Sequence, residues 1–195
     1  MVSLDVPNWN AVGVIPPMDM NNPVGAYRSP YKTDIIKLVE RYATSPQRIA
    51  ILKGFINFRS ELHKTGLTDG FQWVDGSFNE NVEITENRSP NDIDVVTFFT
   101  LPTNETQQHV VSRNPDLFLP QQAEWRKDNF KVDSYLQPLQ VPNDKLVERT
   151  VYWYSMWSHR RDLTWKGFLQ IPLNPLLDNE AKTLLEKMAA EGGEQ

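Results

Sequence analysis

Two aspartates one residue apart, Asp92 and Asp94, follow a Gly76-Ser77 dipeptide across a polar loop, and a third, Asp133, lies in a later alternating segment. Alternate side chains of a strand share a face, so Asp92 and Asp94 would project together while Ile93 and Val95 enter the core. Neighbouring carboxylates repel each other unless a cation sits between them, and hard divalent ions prefer oxygen ligands. A Gly-Ser turn offers backbone N–H groups and a hydroxyl to phosphate oxygens. The combination points to Mg2+- or Mn2+-dependent chemistry on a nucleoside triphosphate.

Two-metal phosphoryl transfer needs one carboxylate more than a single strand supplies. Asp133, in Lys131-Val132-Asp133-Ser134-Tyr135, is the candidate, because an unpaired charge in mid-strand is costly if merely buried. Asp92, Asp94 and Asp133 would then hold the ions, with Gly76 and Ser77 on the phosphates. Taken singly, an Asp-x-Asp or a Gly-Ser is common and uninformative; the ordered set is what carries the reading. Asp75 reads as a turn residue, and Glu80, Glu83 and Glu86 as a solvated face. A basic segment, Ser158-His159-Arg160-Arg161-Asp162 with Lys166, offers cations to a triphosphate or to an RNA acceptor. The competing reading is a basic loop at a helix carboxyl end. Arg160, Arg161 and above all Lys166 are the nucleotide-binding candidates there. His159 by itself reads as a structural hydrogen-bonding residue rather than a base, and His63 and His109 sit on expected helices without ligand-spaced partners. Tyr152 to Trp157 reads as a buried helix face, with a base-stacking platform as the sharper version.

The elements that must position these groups are legible in outline. Residues 1–32 read as an irregular arm, punctuated by Ile15-Pro16-Pro17 and Asn21-Asn22-Pro23, that packs on a single domain spanning 33–195. Helices are expected over 34–43 and from Ser45-Pro46 to Gly66, with Gly54 allowing close packing. A strand over 71–75 delivers the Gly-Ser turn. Residues 78–91 read as a flap or a short helix plus loop. Strands follow over 92–99, 130–136 and 167–171, with helices near 105–112, 121–127, 143–157 and 175–190 and a soft tail beyond. The fold class is therefore α/β (α+β), a small mixed sheet flanked by helices.

The 195 residues suffice for a sizeable core. No cysteine is present, which excludes disulfides and thiolate metal sites and fits a reducing cytoplasm. A formal net charge of -5 argues against a uniformly nucleic-acid-coating surface while leaving room for a local basic groove. No apolar run reaches bilayer length, and the first five residues lack a secretory pattern, so no membrane partner is expected.

Gly76-Ser77 with Asp92-x-Asp94 and Asp133 resembles the polymerase-β-like nucleotidyltransferase superfamily. The whole chain is similar to an uncharacterised bacterial domain family of that fold, through Ile15-Pro16-Pro17, Arg28-Ser29-Pro30-Tyr31, Gly70 to Phe78, Pro90 to Phe99 and Ser158 to Gly167. The resemblance implies a minimal nucleotidyltransferase fold. It also implies Mg2+ (or Mn2+) as cofactor, an NTP as substrate, and a hydroxyl of RNA (a tRNA end) or of a protein as acceptor. A toxin or phage-defence role follows from it, with a cognate antitoxin or defence subunit as partner. The connection from Ser77 to Asp92 is longer and more acidic than in typical minimal members. The alternative is a non-catalytic nucleotide-sensing or antitoxin-type module of the same fold. A maker of signalling oligonucleotides is a third reading, disfavoured by the short chain.

Overall fold

In the computed structural model, which describes residues 5–191, a five-stranded mixed sheet is flanked by helices. Residues 1–4, where the chain was read for a secretory pattern, and the expected tail beyond 191 lie outside the described residues. The strands are β1 (Tyr31–Lys32), β2 (Gly70–Asp75), β3 (Ile93–Phe99), β4 (Val132–Pro138) and β5 (Leu169–Pro172), in the spatial order β1-β5-β2-β3-β4. The β1–β5 and β3–β4 pairs are parallel, and β2 runs antiparallel to both β3 and β5.

The large core lies on one face. Helices α1 (Ile35–Tyr42) and α2 (Pro46–Lys64) start where the sequence places them, because Asp34 and Ser45 accept the N–H groups of Lys37 and Arg48. They bury Leu38, Val39, Leu52 and Phe55 against Val74, Ile93, Val95 and Val132 of the sheet, joined by Ala181 and Leu185 of the last helix, α8 (Asp178–Glu191). The opposite face carries a smaller cluster, Trp73, Val96, Phe98 and Phe168, capped by Trp153 and Trp157 of α7 (Asn143–Trp157). Of the aromatic run expected to be buried on α7, only Trp153 and Trp157 are; Tyr152, Tyr154 and Met156 are exposed. Five residues suffice to circle a helix more than once, so a continuous aromatic run cannot lie on one face.

Between Ser77 and Asp92 the chain makes a 3-10 turn (Ser77–Asn79) and the short α3 (Val82–Thr85). The β3–β4 crossover holds α4 (Gln107–Arg113), α5 (Pro115–Phe118) and α6 (Ala123–Phe130). Phe130, expected in a strand, ends α6, and Lys131 closes it in the left-handed conformation, φ 55°. Residues 132–136 do alternate as expected, but alternation by itself cannot show that the two preceding residues finish a helix. Gly54 lets α2 pass against α6: a Cβ there would collide with the Phe130 carbonyl.

The arm is less irregular than expected, for β1 pairs with β5 inside it, and Val14 and Ile15 are buried while Val12 and Tyr27 stay exposed. Among the described residues no helix is long and apolar enough to cross a membrane.

Candidate active site

At one end of the sheet, β2, β3 and β4 each place an aspartate at the same register. Asp75 pairs with Asp94 across β2 and β3, and Asp94 with Asp133 across β3 and β4. Residues opposite each other in a sheet share a face and their chains lie ~5 Å apart, so three carboxylates stand in a row. Asp92, just before β3, shares the Asp94 side. Asp133 therefore lies beside Asp94 across the β3–β4 pair. Asp75, read as a turn residue, is instead a buried member of the row. Counting two residues on from Trp73 would have found it, since Trp73 and Asp75 share a face while Val74 enters the core.

Each member of the row except Asp94 has its own counter-charge. Lys166 Nζ lies 3.0 Å from Asp75 and 2.8 Å from Glu80. Lys127 Nζ lies 2.8 Å from Asp133 and 3.8 Å from Asp92. Asp94 has no ion pair within 4 Å among the described residues. Burial pushes its carboxyl up to about 7, and the carboxylates of Asp75, Asp92 and Asp133 add to the rise. Burial likewise pushes Asp75 up to about 6 against the pull of Lys166, and raises Asp92. Burial alone would lower the Lys166 ammonium, but Asp75 and Glu80 outweigh it and hold it raised. The Lys127 ammonium is raised too, chiefly through its hydrogen bond to Asp133. Among the described residues, no three or more acidic or histidine side chains are gathered tightly enough to hold a metal ion as they stand.

Gly76 turns the chain directly over Asp94. Its φ is 84°, and a Cβ there would run into the Asp94 carboxylate. Glycine is thus required twice, for backbone conformation and for space. Ser77, beside it, is partly exposed.

The segment after Ser77 takes the short-helix-plus-loop form, but Glu80 and Glu83 do not belong to a solvated face. Glu80 is 6% exposed and accepts from Lys166 Nζ and from Arg160 Nε at 2.6 Å. Arg48, fully buried, clamps the Glu83 carboxylate with two bonds of 2.6 and 2.8 Å and donates to the Phe78 and Glu80 carbonyls. Only Glu86 is exposed as expected. The loop's acidity pairs with cations from α2 and from 158–167, partners that no local pattern reveals.

The structure therefore brings Lys166 and Arg160 to the site as partners of Asp75 and Glu80, while Arg161 is exposed. His159 Nδ1 contacts the Arg160 carbonyl at 2.8 Å, and His63 Nε2 the Leu173 carbonyl at 2.6 Å. Lys127 was absent from the sequence reading, because nothing around it distinguishes it from other lysines of a polar helix.

The profile of a family described as "Family of unknown function (DUF6932)" matches residues 7–172, a span that contains the whole carboxylate row, the Gly-Ser turn and the basic segment. No curated protein and no solved structure matches the chain.

Proposed function

The chain belongs to this family of unknown function, and from the geometry of its carboxylate row we propose that it is a metal-dependent nucleotidyltransferase, moving a nucleoside monophosphate from an NTP to a hydroxyl acceptor. The observation that carries the reading is Asp94. It is a largely buried carboxylate with three like charges around it and no cation of its own, set under a glycine turn that leaves room only because it lacks a Cβ. Such a site favours a divalent cation over an unpaired charge.

Asp94 and Asp92 would hold Mg2+ (or Mn2+), with Asp133 as the third carboxylate. When bound, the metal would neutralise the triphosphate and lower the pKa of the attacking hydroxyl. The Gly76 backbone and the Ser77 hydroxyl would receive the phosphates. The acceptor oxygen forms a bond to the α-phosphorus, the bond from that phosphorus to the bridging oxygen breaks, and pyrophosphate leaves with that oxygen. Asp133 would lower the pKa of that hydroxyl, directly or through the ion, and take its proton. Lys166 acts as a positioning residue: by neutralising Asp75 and tying down Glu80 it keeps the turn over Asp94. RNA or a protein side chain as acceptor, a toxin or phage-defence role with a protein partner, and a cytoplasmic setting belong to the same proposal.

Incubation with each α-labelled NTP, Mg2+ and a total RNA and protein extract tests it. We expect label to reach a macromolecule with the wild type and to be lost in Asp92→Ala and Asp94→Ala proteins that still fold. Equal labelling by both variants would sink the mechanism. Wild-type protein that binds no nucleotide with Mg2+ would favour the non-catalytic module.

A further inference from the structure

Lys127 is held in place by more than its ion pairs. It lies in the last turn of α6, and its carbonyl accepts the Lys131 N–H at 2.9 Å where the left-handed turn closes the helix. The Lys131 carbonyl in turn accepts the Ile93 N–H at 3.0 Å, which ties the connection into β4 to β3 between Asp92 and Asp94. Arg126, the preceding residue, is buried and donates to the Asp116 and Leu119 carbonyls, so the helix is anchored beside the lysine as well. The end of α6, the start of β3 and the start of β4 thus keep Lys127, Asp92 and Asp133 in one frame.

From that frame the Lys127 ammonium reaches carboxylates of two separate segments, Asp133 Oδ2 at 2.8 Å and Asp92 Oδ2 at 3.8 Å. The Lys127 and Asp133 side chains are 32% and 18% exposed, against 66% and 39% for the helix-surface pair Lys64–Glu61. Exposed pairs of the second kind contribute little. A lysine shared by two carboxylates does what a bound cation does in such a place, relieving their mutual repulsion.

The charges around the row support the same assignment. Asp75 and Glu80 are matched by Lys166 and Arg160. Asp92, Asp94 and Asp133 have only Lys127 within ion-pair distance among the described residues, which leaves two negative charges over when all three are ionised. One divalent ion balances them. Two would set surplus positive charge beside an ammonium that the backbone frame keeps there.

We propose that Lys127 stands where a second metal ion would, so that the site takes one divalent ion, at Asp94, with the ammonium as its fixed cationic neighbour. This rests on the metal-dependent reading above and alters it in one respect: the two-metal chemistry expected from the sequence becomes a one-ion reaction. A carboxylate has two oxygens, so Asp92 and Asp133 can each turn one to the ion and keep the other on Lys127.

Electron paramagnetic resonance of Mn2+ bound with a non-hydrolysable NTP analogue tests this, because two ions sharing a site, about 3.5–4 Å apart, couple magnetically and a single ion does not. We expect an uncoupled signal from the wild type and from Lys127→Arg, which keeps the charge. Lys127→Met, verified folded by its melting curve, should show a coupled pair. By calorimetry without nucleotide, it should also bind Mn2+ about tenfold or more tighter than the wild type. Lys127→Gln gives the same readings should the Met variant fail to fold. A coupled pair in the wild type overturns the inference and leaves the metal-dependent reading standing. So does a folded Lys127→Met or Lys127→Gln protein whose spectrum and affinity match the wild type. If neither the wild type nor these variants bind Mn2+, the metal-dependent reading falls and the one-ion inference falls with it.

Discussion

Asp94 is a carboxylate whose folded environment opposes its charge, and that has a signed consequence. Its pKa rises from 3.8 to about 7, so between these values the folded protein holds a proton that the unfolded chain releases. Stability from this group is therefore full below about pH 4, falls as pH rises toward 7, and is a constant penalty above. Asp94→Asn should flatten that slope and stabilise the protein at pH 8, on the order of 2 kcal/mol, with no gain at pH 4. Paired denaturant titrations at the two pH values check this; equal shifts at both would mean that Asp94 is not the titrating group. Mg2+ supplies by binding what the substitution supplies by neutralisation. At pH 8 it should raise the melting temperature of the wild type but not of Asp94→Asn. Asp92, Asp94 and Asp133 were legible in sequence because strand alternation places side chains without knowledge of the fold. Lys127, Glu80 and Arg48 were not, because their partners come from segments that only the fold brings together.

Among elements, α6 does the most positioning. Of its consecutive residues, Arg126 donates to the Asp116 and Leu119 carbonyls and Lys127 pairs with Asp92 and Asp133, and its left-handed end at Lys131 starts β4 in register with β3. Gly54 is what lets α2 press against that end. Gly54→Ala should push α2 and α6 apart and cost about 1–3 kcal/mol, the usual penalty for overpacking. It should also weaken Mg2+-dependent nucleotide binding, because β4 carries Asp133. Melting curves and nucleotide titration together check this, and a loss of stability with unchanged binding would detach α6 from the site. The sequence marked α2 and α7 to within two residues because caps and proline fix their starts. The end of α6 escaped, since a lysine in the left-handed region leaves no compositional trace.

Across the whole molecule, one buried cation joins layers far apart in the chain. Arg59, on α2, binds both Asp178 oxygens of α8 at 2.8 Å, the Gln72 side chain of β2 at 2.5 Å, and carbonyls of Pro172 and Asn174 just at and beyond β5. Removing one partner of a buried ion pair leaves the other uncompensated. Arg59→Met should therefore cost about 3–5 kcal/mol by chemical denaturation. Arg59→Met with Asp178→Leu should recover part of that loss; failure to recover would place the cost in the carbonyl contacts instead. The mixed sheet and its helical cover were readable from the alternation of periods along the chain. Strand order was not, since β1 meets β5 across 138 residues (169 − 31) and no local signal spans that distance.

The pairing of Asp75 with Lys166, of Lys166 with Glu80 and of Glu80 with Arg160 has a consequence for sequence change. No member can be replaced alone without stranding a charge beneath the turn that covers Asp94, so positions 75, 80, 160 and 166 form a single unit of inheritance. In other chains of the family these four positions should covary, losing or keeping their charges together although about eighty residues separate the two halves. An alignment in which 80 and 166 drift independently would show that the turn is held by something else.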